Sequence, residues 1–175
     1  MDDFFVDDIT EERPKRMNTG KKGKRVEREL CKVFNTRFMK GFSRTVGSGN
    51  RWSQSAHLTK EAMQVYTGDL VCPAGFKFCI ESKGGYDDVD LSLTFLSGHA
   101  QLDEFIKQSK HESQSCGRKP LICWKRSRRP WLAIIQTEDL PNLNWPYRFI
   151  YNDWSMVALD LLLDLPDDYW FNSDH

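Results

Sequence analysis

Residues 67–85, TGDLVCPAGFKFCIESKGG, hold two short apolar runs joined by Pro-Ala-Gly. Short apolar runs bounded by turn formers are strands rather than helices. The stretch therefore predicts strands at 69–72 and 76–82, paired as an antiparallel hairpin. Such a hairpin is buried, yet it opens on Asp69 and closes on Glu81-Ser82-Lys83. In an antiparallel pair the start of one strand faces the end of its partner, which brings Asp69 and Glu81 to the same edge. Side chains two apart share a face, so Glu81 and Lys83 project together while Ser82 points away. Two carboxylates and an ammonium where a sheet meets solvent suit a divalent cation. Mg²⁺ prefers oxygen ligands and takes one or two carboxylates. It polarises a phosphate and lowers the pKa of bound water, and a neighbouring lysine stabilises developing negative charge. The Ser82 carbonyl is a further candidate ligand. In the hairpin alone, an ordinary surface Asp, Glu and Lys would look the same.

The rest of the chain places this hairpin in a fold. Val26, Leu30, Val33, Phe34 and Phe38 recur at helical spacing and predict a helix from Lys22 to about Met39, stopped by Gly41. GFSRTVGSG reads as a short strand ending in a Gly-Ser-Gly turn, and LTKEAMQVY as a helical turn or two inside an inserted loop. HAQLDEFIKQSKHES is an amphipathic helix with Ala100, Leu102, Phe105 and Ile106 apolar. KPLICWK and WLAIIQT are strands joined by the basic turn RSRRP, and TEDLPNL starts a short helix. YRFIYND is a strand, and MVALDLLL is a strand or a helical turn that periodicity does not separate. The order predicts an α/β fold, a mixed sheet flanked by helices. The expected organisation is an N-terminal arm at 1–20, one domain at 21–165 with an insert near 49–67, and an acidic tail at 166–175.

Charge is segregated although the net charge is zero. Residues 13–51 carry thirteen bases against two acids, residues 117–129 six bases and no acid, and residues 137–175 eight acids against one base. Two basic blocks flanking a candidate metal site point to a polyanion. Lys22, Lys24, Arg25 and Arg51 in the first block, with Lys125, Arg126, Arg128 and Arg129 in the second, are the candidate phosphate contacts. The tail DLPDDYWFNSDH has three readings: docking on the protein, repelling nonspecific DNA, or binding a partner protein.

The spacing Asp69-x(11)-Glu81-x-Lys83 after a Glu-bearing helix resembles the PD-(D/E)xK nuclease superfamily. KGKRVERELCKVF, then SRTVGSG, then GDLVCPAGFKFCIESK resemble more closely the archaeal-type Holliday junction resolvases and their phage relatives. The resemblance covers about residues 22–48 and 68–136. It implies a restriction-endonuclease-like core and a DNA endonuclease that uses Mg²⁺, with Mn²⁺ as a substitute, to cut branched or duplex DNA. Four-way junctions resolved by paired nicks imply a homodimer. By resemblance Asp69 and Glu81 are metal ligands, Glu27 completes the metal site directly or through water, and Lys83 is the catalytic lysine. Arg28, Arg44 and Ser48 would contact phosphates, Glu29 is the competing helix acid, and Gln101 marks where related nucleases place a polar group. The roughly twenty residues between Ser48 and Asp69, with Trp52, His57 and Lys60, depart from the compact pattern.

Other features have plainer readings. The five cysteines have no tight metal-binding spacing and read as reduced core thiols. His57 and His99 read as surface residues, and no Gly-rich loop followed by Lys-Ser/Thr suits an NTPase. Trp131, Trp145 and Trp154 are expected in the core, and Trp52 and Trp124, each beside a base, as candidate base contacts. No apolar run approaches the roughly 20 residues of a membrane span. MDDFFVDDITEER lacks the pattern of a signal peptide, so the expected location is a prokaryotic or viral host cytosol, away from membranes.

Overall fold

The structure, a computed structural model, describes residues 19–45, 67–93 and 98–173. Helix α1 (Thr19–Phe38) is followed by the two-residue strands β1 (Ser43–Arg44) and β2 (Leu70–Val71) and by the longer β3 (Phe78–Gly84). Helix α2 (Ala100–Cys116) then crosses to β4 (Lys119–Lys125) and β5 (Trp131–Gln136). Strands β6 (Phe149–Tyr151) and β7 (Trp154–Ala158) precede two short helices, α3 (Leu159–Leu163) and α4 (Asp167–Trp170). The main sheet has the order β3-β4-β5-β7-β6, parallel between β3 and β4 and antiparallel elsewhere. It is the α/β fold, a mixed sheet flanked by helices, that the sequence predicts.

Helices cover both faces, so β4 alternates between two cores and reads as one apolar run. On one face Leu121 and Cys123 join Leu30 and Phe34 of α1, Leu162 of α3 and Trp170 of α4. On the other, Ile122 and Trp124 meet Leu102 and Phe105 of α2. All five cysteines are buried and free, and burial pushes the Cys31 thiol up to about 11 and Cys72 up to about 12. Among the described residues, no helix is long and apolar enough to cross a membrane.

Three expectations need correction. The predicted hairpin is not a ladder: β2 pairs antiparallel with β1, and the sheet partner of β3 is β4, reached through α2. The 69–72 segment touches β3 through one main-chain bond, from the Asp69 N–H to the Ile80 carbonyl at 2.9 Å. Gly68, at φ +85°, allows this approach, because a Cβ there would lie 2.8 Å from the Ile80 oxygen. Helix α1 is stopped by Met39 in the left-handed region (φ 53°), not by Gly41, and Asn35 brackets the main chain of Phe42 with two bonds of 2.8 Å. Trp124 is fully buried against Phe105, so it is core rather than a base contact. Trp131 and Trp154 are buried as expected, and Trp145 packs partly buried against the core. The ambiguous 156–163 segment is both things in turn, the end of β7 and then α3. In the C-terminal segment Trp170 and Phe171 are buried, while Arg37 of α1 donates to the Leu163 and Leu165 carbonyls and pairs with Asp167 at 2.9 Å.

Candidate functional site

Strand β3 is the edge of the main sheet, and its C-terminal half turns two charged side chains toward α2. Glu81 and Lys83 lie opposite Ile122 and Trp124 of β4 and, like them, face the helix. Both are buried, at 3% and 9% exposure, where a lone charge would be costly. They pair with each other, Lys83 Nζ donating to Glu81 Oε1 at 2.7 Å. Gln108 of α2 closes the set: Lys83 Nζ donates to its Oε1 at 2.6 Å, and its Nε2 donates to Glu81 Oε1 at 2.7 Å. The Phe105 ring lies 5.2 Å from Lys83 Nζ and walls the ammonium in.

Asp69 arrives on the free edge of β3, where its Oδ2 accepts the Ser82 N–H at 2.9 Å. Burial pushes its carboxyl up to about 6; the Ser82 bond opposes this, and the charges of Glu27 and Glu112 add to it. Glu81 is held well above the ordinary carboxylate range, first by burial and then by Asp69 and Glu112. The charge of Asp69 thus resists the ionisation of Glu81. The second oxygen of Glu81, Oε2, is buried and has no hydrogen-bond partner among the described residues.

These observations test whether a divalent cation suits the site. An orphaned buried carboxylate oxygen and two neighbouring acids that both resist ionisation are what a cation would relieve. Among the described residues no group of three or more His, Cys, Asp or Glu is arranged as a metal cluster. The fit is therefore to a hard cation that takes two carboxylates and completes its shell with carbonyl, solvent or phosphate oxygens. Glu27 is turned elsewhere, its Oε2 accepting from Arg44 Nε at 2.6 Å, so Arg44 is ion-paired. Val26, one residue before Glu27, packs against Gly84: a Cβ at that glycine would lie 2.6 Å from Val26 Cγ2.

The sequence candidates divide as follows. Asp69, Glu81 and Lys83 come together, with Glu27 at their border. Glu29 is separate: it reaches Lys125 at 3.4 Å on the far side of α1. Lys24 and Arg28 are exposed. Ser48, Arg51, Trp52 and His57 lie outside the described residues, as does the side chain of Lys22. Gln101 does not join the Glu81–Lys83 network; Gln108, seven residues along the same helix, does. His99 caps α2, its Nδ1 accepting the Gln101 N–H at 3.2 Å. Gln108 and Glu112 are the polar groups missed in the sequence. Their only signal was position: they border the buried stripe of Leu102, Phe105, Ser109 and Ser113.

A mixed sheet whose edge strand carries Glu-x-Lys, with an Asp beside it and a helix bearing Glu across it, is the core of a PD-(D/E)xK nuclease. The family described as "Phage putative PDDEXK endonuclease" matches residues 18–155, and the chain belongs to it. Protein D14 of Escherichia phage T5 is 28% identical over 127 residues, covering 70% of this chain and 74% of that protein. No solved structure matches.

Proposed function

We propose that the protein is a divalent-cation-dependent DNA endonuclease that cuts branched DNA, resolving four-way junctions by paired nicks as a homodimer. The observation that carries the chemistry is half-buried Asp69 set beside buried Glu81, with Glu81 Oε2 unpartnered among the described residues and Lys83 held at 2.7 Å. A divalent cation held by Asp69 and Glu81 would supply charge neutralisation at the phosphate and a water acidic enough to attack. Mg²⁺ is the proposed cation, with Mn²⁺ as its substitute. Lys83, fixed by Glu81 and Gln108, directs its ammonium at the charge that builds on the phosphoryl oxygens. Glu27 takes part through solvent, since Arg44 occupies its carboxylate. Arg44 lies at the same border, where a phosphate would compete for its guanidinium. The choice of a four-way junction rests on the resemblance of the motifs, and the homodimer on the need for two cuts on opposing strands.

A cleavage panel tests this reading. Four-way junction, fork, nicked duplex and linear duplex are compared at equal salt with Mg²⁺ or Mn²⁺. Preferred symmetric nicking of the junction, lost in Asp69→Asn, supports it. Preference for another substrate makes the protein a different DNA nuclease of the superfamily. Binding without any cleavage in either metal makes it a noncatalytic DNA-binding protein. A monomer that resolves junctions removes the homodimer.

A further inference from the structure

The two basic blocks of the sequence meet in three dimensions, at a place separate from the carboxylates. Pairing of β3 with β4 sets Gly84 beside Lys125, and the Gly85 N–H donates to the Lys125 carbonyl at 2.9 Å. The β4–β5 turn thereby comes up against α1. Between them lies a cleft of about 310 Å³ lined by Arg25, Glu29, Gly85, Lys125, Arg126 and Arg128, among others. Four cations face one carboxylate. The turn is braced in advance: the Asp87 carboxylate accepts the Ser127 N–H and Oγ–H, each at 2.6 Å, and Arg126 Nη2 donates to the Asp87 carbonyl at 2.6 Å. Arg128 takes a left-handed conformation (φ 57°) that reverses the chain at the tip. Arg25 and Arg128 are exposed and make no ion pair among the described residues. Lys125 lies over the Trp131 ring at 5.5 Å, and its one ion pair among the described residues is with half-exposed Glu29, at 3.4 Å, a pairing that water already weakens.

We propose that this cleft binds a backbone phosphate of the DNA about two nucleotide steps from the one cleaved, and that Glu29 is its built-in counter-ion, displaced when DNA arrives. The inference rests on DNA being the ligand, as proposed above, but not on cleavage. Gly85 is two residues beyond Lys83, so the cleft lies roughly 7 Å further along the strand direction. That is about two nucleotide steps along a duplex axis. Trp124 beneath the turn is fully buried and offers no face for base stacking. Contact with the strand is therefore through phosphate and independent of base sequence.

The test is binding in chelator, which removes cleavage from the readout. Fluorescence anisotropy with labelled duplex and four-way junction DNA compares wild type, Arg25→Ala/Arg128→Ala, Glu29→Gln and a Lys40→Ala control at the other end of α1. The double variant is expected to bind about tenfold more weakly at moderate salt and to lower the slope of log affinity against log salt by about two. Glu29→Gln is expected to tighten binding about two- to threefold, by removing the competing charge. Thermal melting checks that all variants fold. Wild-type affinity and slope in the double variant, or no tightening in Glu29→Gln, overturns the proposal. A protein that binds through this cleft but never cuts leaves it standing while the endonuclease reading fails; cleavage with Arg25 and Arg128 irrelevant does the reverse.

Discussion

The two ends of β3 are built from opposite materials. Its N-terminal approach is aromatic: Phe76 stacks on Trp170 at 5.8 Å and 10°, Phe78 meets Trp170 edge-on at 5.4 Å, and Phe34 meets both Phe76 and Trp170 edge-on. These side chains lie at 2% exposure or less, and their burial is favourable in proportion to area. Its C-terminal end holds Glu81 and Lys83, also buried, with a carboxylate oxygen that nothing in the described protein satisfies. One end stabilises the strand, and the other uses that stability to keep charge where a folded chain would not choose it. The contrast predicts that mutations at the two ends affect different measurements.

The largest effect is expected at the charged end. Asp69→Asn, Glu81→Gln or Lys83→Ala should each lower the cleavage rate by about 10³-fold or more in a gel assay. DNA affinity in chelator should stay near wild type, and for Asp69→Asn the melting temperature should not fall. A loss of fold in Asp69→Asn would put that residue with the stabilising end. Next is the aromatic end: Trp170→Ala should cost about 3–5 kcal/mol in denaturant unfolding. At low temperature, where the variant remains folded, its cleavage should survive. Disproportionate loss of cleavage there would couple the two ends.

A smaller effect is expected from pH. Asp69 has a folded-state value raised from 3.8 to about 6, and Glu81 is raised as well. A raised carboxylate contributes stability that is fully present below its unfolded pKa and lost as pH rises through the folded one. The metal-free protein should therefore lose stability between about pH 4 and 6 and beyond, and Asp69→Asn should flatten that decline. A stability that climbs from these groups over the same window would contradict the burial described. The smallest effect is at Gln108, which positions rather than reacts. Gln108→Ala should lower kcat about tenfold with little change in KM and shift the pH–rate profile, since it frees both Glu81 and Lys83. Gln108→Glu should not rescue it, because the amide both donates and accepts.

Much of this contrast was legible in the sequence, and the failures have physical causes. The stripe Val26–Leu30–Phe34–Phe38 gave α1, and the apolar runs 119–125 and 131–136 gave β4 and β5, because burial imposes period on a helix and continuity on a covered strand. Asp69, Glu81 and Lys83 were found because charge at the end of an apolar strand is unusual in itself. The hairpin was misread since Pro-Ala-Gly is local information, whereas the partner of β3 is forty residues away across α2. Trp124 looked exposed because its sequence neighbours are charged, yet strand alternation sends it inward. Gln108 and Glu112 were hidden for the converse reason: polar residues on an amphipathic helix look like its solvated face, and only the packing of α2 on β3 turns them to the site. Trp170 and Phe171 sit in an acidic stretch whose composition conceals that the aromatic end of β3 needs them.

The central claim is that Asp69 and Glu81 together hold one divalent cation. Titrating the protein with Mn²⁺ and following the free-ion EPR signal measures this without substrate or turnover. One bound ion per wild-type chain, competed by Mg²⁺ and lost in Asp69→Asn/Glu81→Gln, is the expected result. Equal Mn²⁺ binding by that folded double variant would contradict it.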